Sequence, residues 1–207
     1  MRDGILKSLK RSTLKTKTIY YAPVETGTFY HLYNRAIGNE KLFHSDDNYI
    51  YFLKKFDEYL SDLLEIYSYC LLPNHFHFLI RTKGEFKMVD AAISEQFRKL
   101  FITYSQAINK QEVRKGSLFM KPFKRKPVHD EKNLLNLVMY IHNNPVHHNV
   151  RDEAETYKWS SYETIISAKP TKLKRTEVLE WFGDKQNFIY CHKRQVDLKN
   201  IDEVIIE

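Results

Sequence analysis

The chain has 207 residues, 33 Lys and Arg against 26 Asp and Glu for a formal charge of +7, and 43% hydrophobic against 29% charged residues. That length and balance predict one folded domain, or one domain with an appendage, and exclude a disordered chain. No apolar stretch approaches the ~20 residues that a membrane-spanning helix needs, and the basic residues 1–20 lack the apolar run of a signal peptide. Two cysteines, Cys70 and Cys191, make no disulfide framework, so a cytoplasmic protein is expected. The unusual feature is 14 Tyr, 13 Phe and 9 His in a basic chain, a composition common among nucleic-acid binders.

In chain order, residues 27–34 are aromatic and β-favouring and predict a first strand. After a loop, Ser45, Asp46 and Asp47 supply a helix start, and Tyr49, Phe52, Leu53, Phe56 and Leu60 recur at helical spacing to about residue 64. Residues 65–72 and 75–81, joined by Pro73-Asn74, predict an antiparallel hairpin. Residues 88–108 predict a long helix, 125–128 a short fourth strand, and Asp130 caps a helix running to about residue 144, where Pro145 is expected to stop it. The order β-α-β-β-α-β is that of a ferredoxin-like α+β fold, with helices on one face of an antiparallel sheet and a further C-terminal helix. Residues 1–20 form a basic extension, 21–165 the main domain, and 166–207 an appendage expected to pack on it. After Pro145, Trp159, Tyr162 and Ile165 predict a short packed element, and residues 177–182 a helical turn ending near Gly183.

The charge is local. Residues 1–20 carry +5 and residues 110–126 carry +6, leaving −4 for the rest. Solvated tails and loops account for such runs, but KGSLFMKPFKRK interleaves Phe119 and Phe123 with Lys121, Lys124, Arg125 and Lys126. Cations that neutralise phosphates beside rings that stack on bases suit a single-strand binder.

His75-Phe76-His77 is the sharpest local feature. In a strand the two imidazoles share a face while Phe76 and Phe78 point into the core. Two such rings can bind one divalent ion; equally, one can cap a loop while the other bonds a neighbour. On the last helix Asn133, Asn136, Tyr140 and Asn144 form a stripe, with Tyr140 and Asn144 one turn apart. An amide oxygen from Asn144 can complete a two-histidine, one-amide site, with Tyr140 a turn away. Tyr140 can equally be a half-buried aromatic. His142, His147 and His148 read as surface or phosphate-contact residues.

CLLPNHFHFLIRT resembles the HUH motif (His, bulky hydrophobic, His) of single-tyrosine transposases. MYIHNNPVHHNV followed by YKWSSY is similar to the C-terminal signature of their REP-associated tyrosine transposase branch. FYHLYNRAIGNEKLFHSDDNYIYFL and GSLFMKPFKRKPV resemble that branch's opening segment and basic segment, so the resemblance runs in order over residues 27–162. It implies that His75, His77 and Asn144 bind Mg²⁺ or Mn²⁺ and that Tyr140 is the nucleophile of a single-stranded DNA nicking and joining reaction through a 5′-phosphotyrosine. No thiolate pair is present to suggest zinc. Lys121, Lys124, Arg125 and Lys126 would then track the DNA backbone beside Phe119 and Phe123, with Arg35 near a hairpin stem. The resemblance further implies a nucleoid-associated protein and leaves a monomer and a homodimer open. The alternative is a non-catalytic single-stranded DNA or RNA binder that stacks bases on sheet aromatics such as Tyr67 and Tyr69. A replication initiator shares the motif but is disfavoured by the short chain, the single candidate tyrosine on the helix and the lack of a helicase region.

Overall fold

Strand β1 (Phe29–Arg35) is built from alternating side chains that divide between the two faces of a sheet. Tyr30 and Leu32 enter one core and His31 and Tyr33 face the other way. The computed structural model describes residues 24–84 and 89–194, so the basic extension 1–20 lies outside the described residues. Helix α1 (Asp46–Leu60) begins where the sequence predicts. Ser45 is its N-cap, and Asn48 Oδ1 accepts from the backbone N–H groups of His44 and Ser45 at 2.9 and 3.2 Å.

Strands β2 (Leu64–Leu72) and β3 (His75–Thr82) pair as an antiparallel hairpin with a bulge between Ile66 and Ser68. Helix α2 (Val89–Gln111) and strand β4 (Lys124–Val128) follow. The sheet order is β2-β3-β1-β4, with β1 antiparallel to both neighbours, which is the ferredoxin-like arrangement. Phe52, Phe56 and Leu60 of α1 and Ile93, Phe97 and Leu100 of α2 bury against Leu32, Phe76 and Phe78 on one sheet face.

Helix α3 (Glu131–His147) covers the opposite face over β2 and β3, so the sheet is a middle layer. Asp130 caps it, accepting from Asn133 N–H at 2.8 Å. Pro145 does not stop α3, contrary to expectation. It removes the N–H that would reach the Ile141 carbonyl, but Asn144 and Pro145 are buried, and His148 N–H still donates to Asn144 O at 3.0 Å. Tertiary burial thus outweighs one lost bond, and the helix gains the turn that leads to His148.

Helices α4 (Tyr162–Ile166), α5 (Arg175–Trp181) and α6 (Lys185–Lys193) complete the described residues. Trp159 stacks on Tyr49 with centroids 4.4 Å apart. Trp181 stacks on Tyr67 at 5.0 Å, and Tyr67 O–H donates to Glu177 at 2.7 Å. Among the described residues, no helix is long and apolar enough to cross a membrane.

Candidate active site

The β1–β3 register sets Tyr33 opposite His77 and Arg35 opposite His75, while β4 sets Lys124 opposite Tyr33 and Lys126 opposite His31. Opposed residues share a face, so these side chains converge on the α3 side of the sheet, as the His-x-His alternation predicts for His75 and His77. His77 is buried, and its Nδ1 shares a 2.9 Å hydrogen bond with Nε2 of buried His31. Tyr33 stacks on His31 with centroids 4.7 Å apart. Burial pushes the His77 imidazole well below its ordinary range, helped by the neighbouring His31, His75 and His148. The ring is therefore neutral near pH 7, the form that keeps a lone pair for a ligand. His75 is half-buried, and its Nδ1–H donates to Asn74 Oδ1 at 2.7 Å, which leaves the lone pair on Nε2.

From α3, Tyr140 sets its ring edge against this pair, 5.6 Å from the His77 centroid at 89° and 6.3 Å from that of His31 at 81°. Exposed His147 lies alongside it with centroids 5.9 Å apart. At the helix end, His148 meets His75 at 4.4 Å. Residues 140, 144 and 148 follow one another at helical turns, so Asn144 stands between the His77 contact and the His75 contact. Its Nδ2 donates to Tyr140 O at 3.0 Å; its Oδ1 is buried and has no hydrogen-bond partner among the described residues.

The expected DNA-contact residues divide. Arg35 and Lys121 are exposed and, with half-buried Lys124, line a cleft of about 410 Å³ that also takes in Asn74, His75 and His77. Lys124 Nζ lies 5.4 Å from the Tyr33 ring centroid. Lys126 shares that face, whereas Arg125 points to the other one and donates to Asp90 Oδ1 at 2.7 Å. Arg125 is thus a structural ion pair and does not face the cleft. Phe119 also departs from expectation: it is 3% exposed and packs on Phe101 at 4.6 Å, leaving no ring face for a base. An isolated bridge between Ala36 and Phe119 pins this segment to the end of β1 and turns the ring inward. Phe123 is partly buried and stacks on Phe97 at 4.6 Å.

His142, expected at the surface, is buried. Its Nδ1 meets Nε2 of His192 on α6 at 2.9 Å and its Nε2 meets Ser161 Oγ at 2.8 Å. Sequence reading also passed over His31 and the approach of His148 to His75. Of Tyr67 and Tyr69, the candidate stacking platform of a non-catalytic binder, Tyr67 is buried beneath Trp181, whereas Tyr69 is half-buried with its ring tilted against Phe78.

Among the described residues, no group of three His, Cys, Asp or Glu side chains could hold a metal ion. Two imidazoles and an amide oxygen are donor types that a divalent cation accepts, and the buried Asn144 oxygen, unsatisfied among the described residues, carries a cost that a cation would relieve.

A ferredoxin-like sheet with paired histidines on an inner strand and a helix-borne tyrosine against them is the arrangement implied by the resemblance to single-tyrosine transposases. No protein-family model matches the chain. A curated relative from Haemophilus influenzae, named as a REP-associated tyrosine transposase, is 26% identical over 110 residues, covering 51% of this chain and 62% of its own length. A solved structure of a REP-associated tyrosine transposase bound to a REP hairpin superposes with a TM-score of 0.60 at 17% identity, covering 73% of this chain and 87% of that one. The chain is similar in sequence to a REP-associated tyrosine transposase and shares that fold.

Proposed function

We propose that the protein is a transposase-type enzyme that nicks and joins single-stranded DNA next to a hairpin, through a covalent bond to Tyr140. The observation that carries this reading is the Tyr140 ring edge-on to His77, on the same helix as the buried, unsatisfied Asn144 oxygen. A protein that merely bound DNA would need none of these in register. The covering of Tyr67 by Trp181 also counts against base stacking at that position of the sheet.

In the proposed reaction the Tyr140 oxygen bonds to the scissile phosphorus while the bond to the 3′ oxygen breaks. The phenol's proton is balanced by the proton that the departing oxygen acquires, so the products are a 5′-phosphotyrosine and a free 3′-OH. A second 3′-OH then attacks the phosphotyrosine and restores the phenol, so joining needs no ATP. When bound by His75, His77 and Asn144, Mg²⁺ or Mn²⁺ would supply positive charge against the phosphate oxygens. Arg35, Lys121, Lys124 and Lys126 hold the strand by its phosphates, and Tyr33 and His31 keep water from the back of the His77 ring. The chain's fold and its relatives support a hairpin as the DNA partner, since the superposing structure is bound to a REP hairpin.

Covalent capture tests the reading. With single-stranded hairpin DNA and Mn²⁺, the wild-type protein gives an adduct that survives denaturation, and Tyr140→Phe gives none. An adduct of undiminished yield from Tyr140→Phe would remove Tyr140 as the nucleophile.

A further inference from the structure

We infer that His31 is the positioning residue for His77: it accepts the His77 Nδ1 proton and thereby fixes Nε2 as the atom offered to a cation. The inference rests on the metal-assisted reading above and deepens it. In the β1–β3 register His31 lies opposite Leu79, so His77 is its diagonal neighbour, a spacing within reach of two imidazoles. The 2.9 Å separation of His31 Nε2 and His77 Nδ1 leaves room for one proton between two nitrogens. Placed on His77 Nδ1, it directs the bare lone pair of that ring away from β1, as the Nδ1–H bond to Asn74 does for His75. Both rings of the His-x-His pair then present Nε2, and each is oriented by a separate neighbour.

His31 is itself held. It is 1% exposed, with Tyr33 stacked on one side at 4.7 Å and the Tyr140 ring edge-on at 6.3 Å. The choice of imidazole over the carboxylate that often fills this role has a chemical reason. A buried carboxylate would set a negative charge behind the metal ligand and oppose an incoming phosphate, whereas neutral imidazole accepts the same bond without charge. The planes of the two rings lie 21° apart.

The test uses the full chain, metal-free and Mn²⁺-loaded. Long-range proton–nitrogen NMR of the metal-free protein at pH 8 is expected to show His77 protonated at Nδ1 in the wild type and in His31→Gln, whose amide oxygen still accepts. In His31→Phe the Nε2-protonated form is expected to appear. Mn²⁺ titration followed by electron paramagnetic resonance is expected to weaken by about tenfold or more in His31→Phe and to recover to within about threefold in His31→Gln. A wild-type His77 protonated at Nε2 overturns the inference even where no variant folds. So does a folded His31→Phe with wild-type Mn²⁺ affinity, which leaves the metal reading intact provided that His77→Ala abolishes binding. Absence of Mn²⁺ binding by the wild type, with His77→Ala no different, would instead remove the metal reading and this inference with it.

Discussion

Lys124 and Arg125 are adjacent in the chain and leave β4 on opposite faces of the sheet. Lys124 lies opposite Tyr33, with Nζ 5.4 Å from its ring, while Arg125 lies opposite Leu32 and is bound to Asp90 of α2. The two-residue period of a strand therefore splits one run of like charges into a cleft half and a structural half.

Substituting these residues separates the halves. Lys124→Ala is expected to weaken binding to single-stranded hairpin DNA and to lower the slope of log affinity against log salt by about 1, as loss of one phosphate contact does. Arg125→Ala is expected to leave that slope unchanged and to lower stability by about 1 kcal/mol, since its side chain is 12% exposed and its ion pair with Asp90 is 2.7 Å. Anisotropy titrations at several salt concentrations, with urea unfolding in parallel, check both. A larger salt effect from Arg125→Ala than from Lys124→Ala would contradict the facing assigned here.

Phe119 makes its contribution in the core. Phe119→Ala removes a ring that packs against Phe101, Phe76 and Tyr104, and a loss of about 3–4 kcal/mol is expected. The conservative Phe119→Leu, which removes the ring but keeps an apolar side chain in the core, should bind hairpin DNA within about twofold of wild type. DNA binding that falls with loss of the ring while stability holds would restore a stacking role.

Asn144 separates oxygen donation from helix packing. Asn144→Ala is expected to weaken Mn²⁺ binding by about tenfold or more, whereas Asn144→Asp keeps the oxygen, adds charge and should bind at least as tightly. Calorimetric titration with Mn²⁺ reads both variants. Equal Mn²⁺ affinity in the alanine variant would show that the amide is not a ligand.

The buried pair His142 and His192 predicts acid sensitivity. Burial lowers His142 well below its ordinary value and His192 to about 4, so both are neutral in the folded protein. An unfolded chain takes up protons at these rings near pH 6.5, so between about 6.5 and 4 it holds more protons than the folded one. Stability then rises with pH across that window and falls as acid is added, by on the order of 2 kcal/mol at pH 5 for His192 alone. Urea midpoints at pH 7.5 and 5 for wild type and His192→Gln test this, and the variant should lose less on acidification. An equal loss in both would assign the acid sensitivity elsewhere.

Much of the site was legible because it lies within single elements. The two-residue period alone puts His75 and His77 together, and the helical period alone puts Tyr140 a turn from Asn144. What escaped depends on pairing between elements. His31 joins His77 only because β1 lies beside β3 in one register, and nothing local marks that register. His148 reaches His75 because α3 runs through Pro145, where a local rule says stop and burial decides otherwise. Phe119 sits in a basic stretch whose composition reads as surface, yet a backbone bridge to Ala36 turns it inward. Helix α6, short and weakly patterned, carries His192 to a partner 50 residues earlier.

The stack of Trp181 on Tyr67 bears on how small a working version of this protein can be made. Phe29 also meets Trp181, at 5.6 Å, and Tyr162 leans on Phe188 at 5.5 Å. A gene cut after Ile166 would keep His75, His77, Tyr140 and Asn144 but strip these rings of their cover and take away His192 from behind the tyrosine helix. Such a shortened product is a recipe for insolubility, and attempts to graft the proposed nicking chemistry onto another scaffold should carry the chain through at least Lys193.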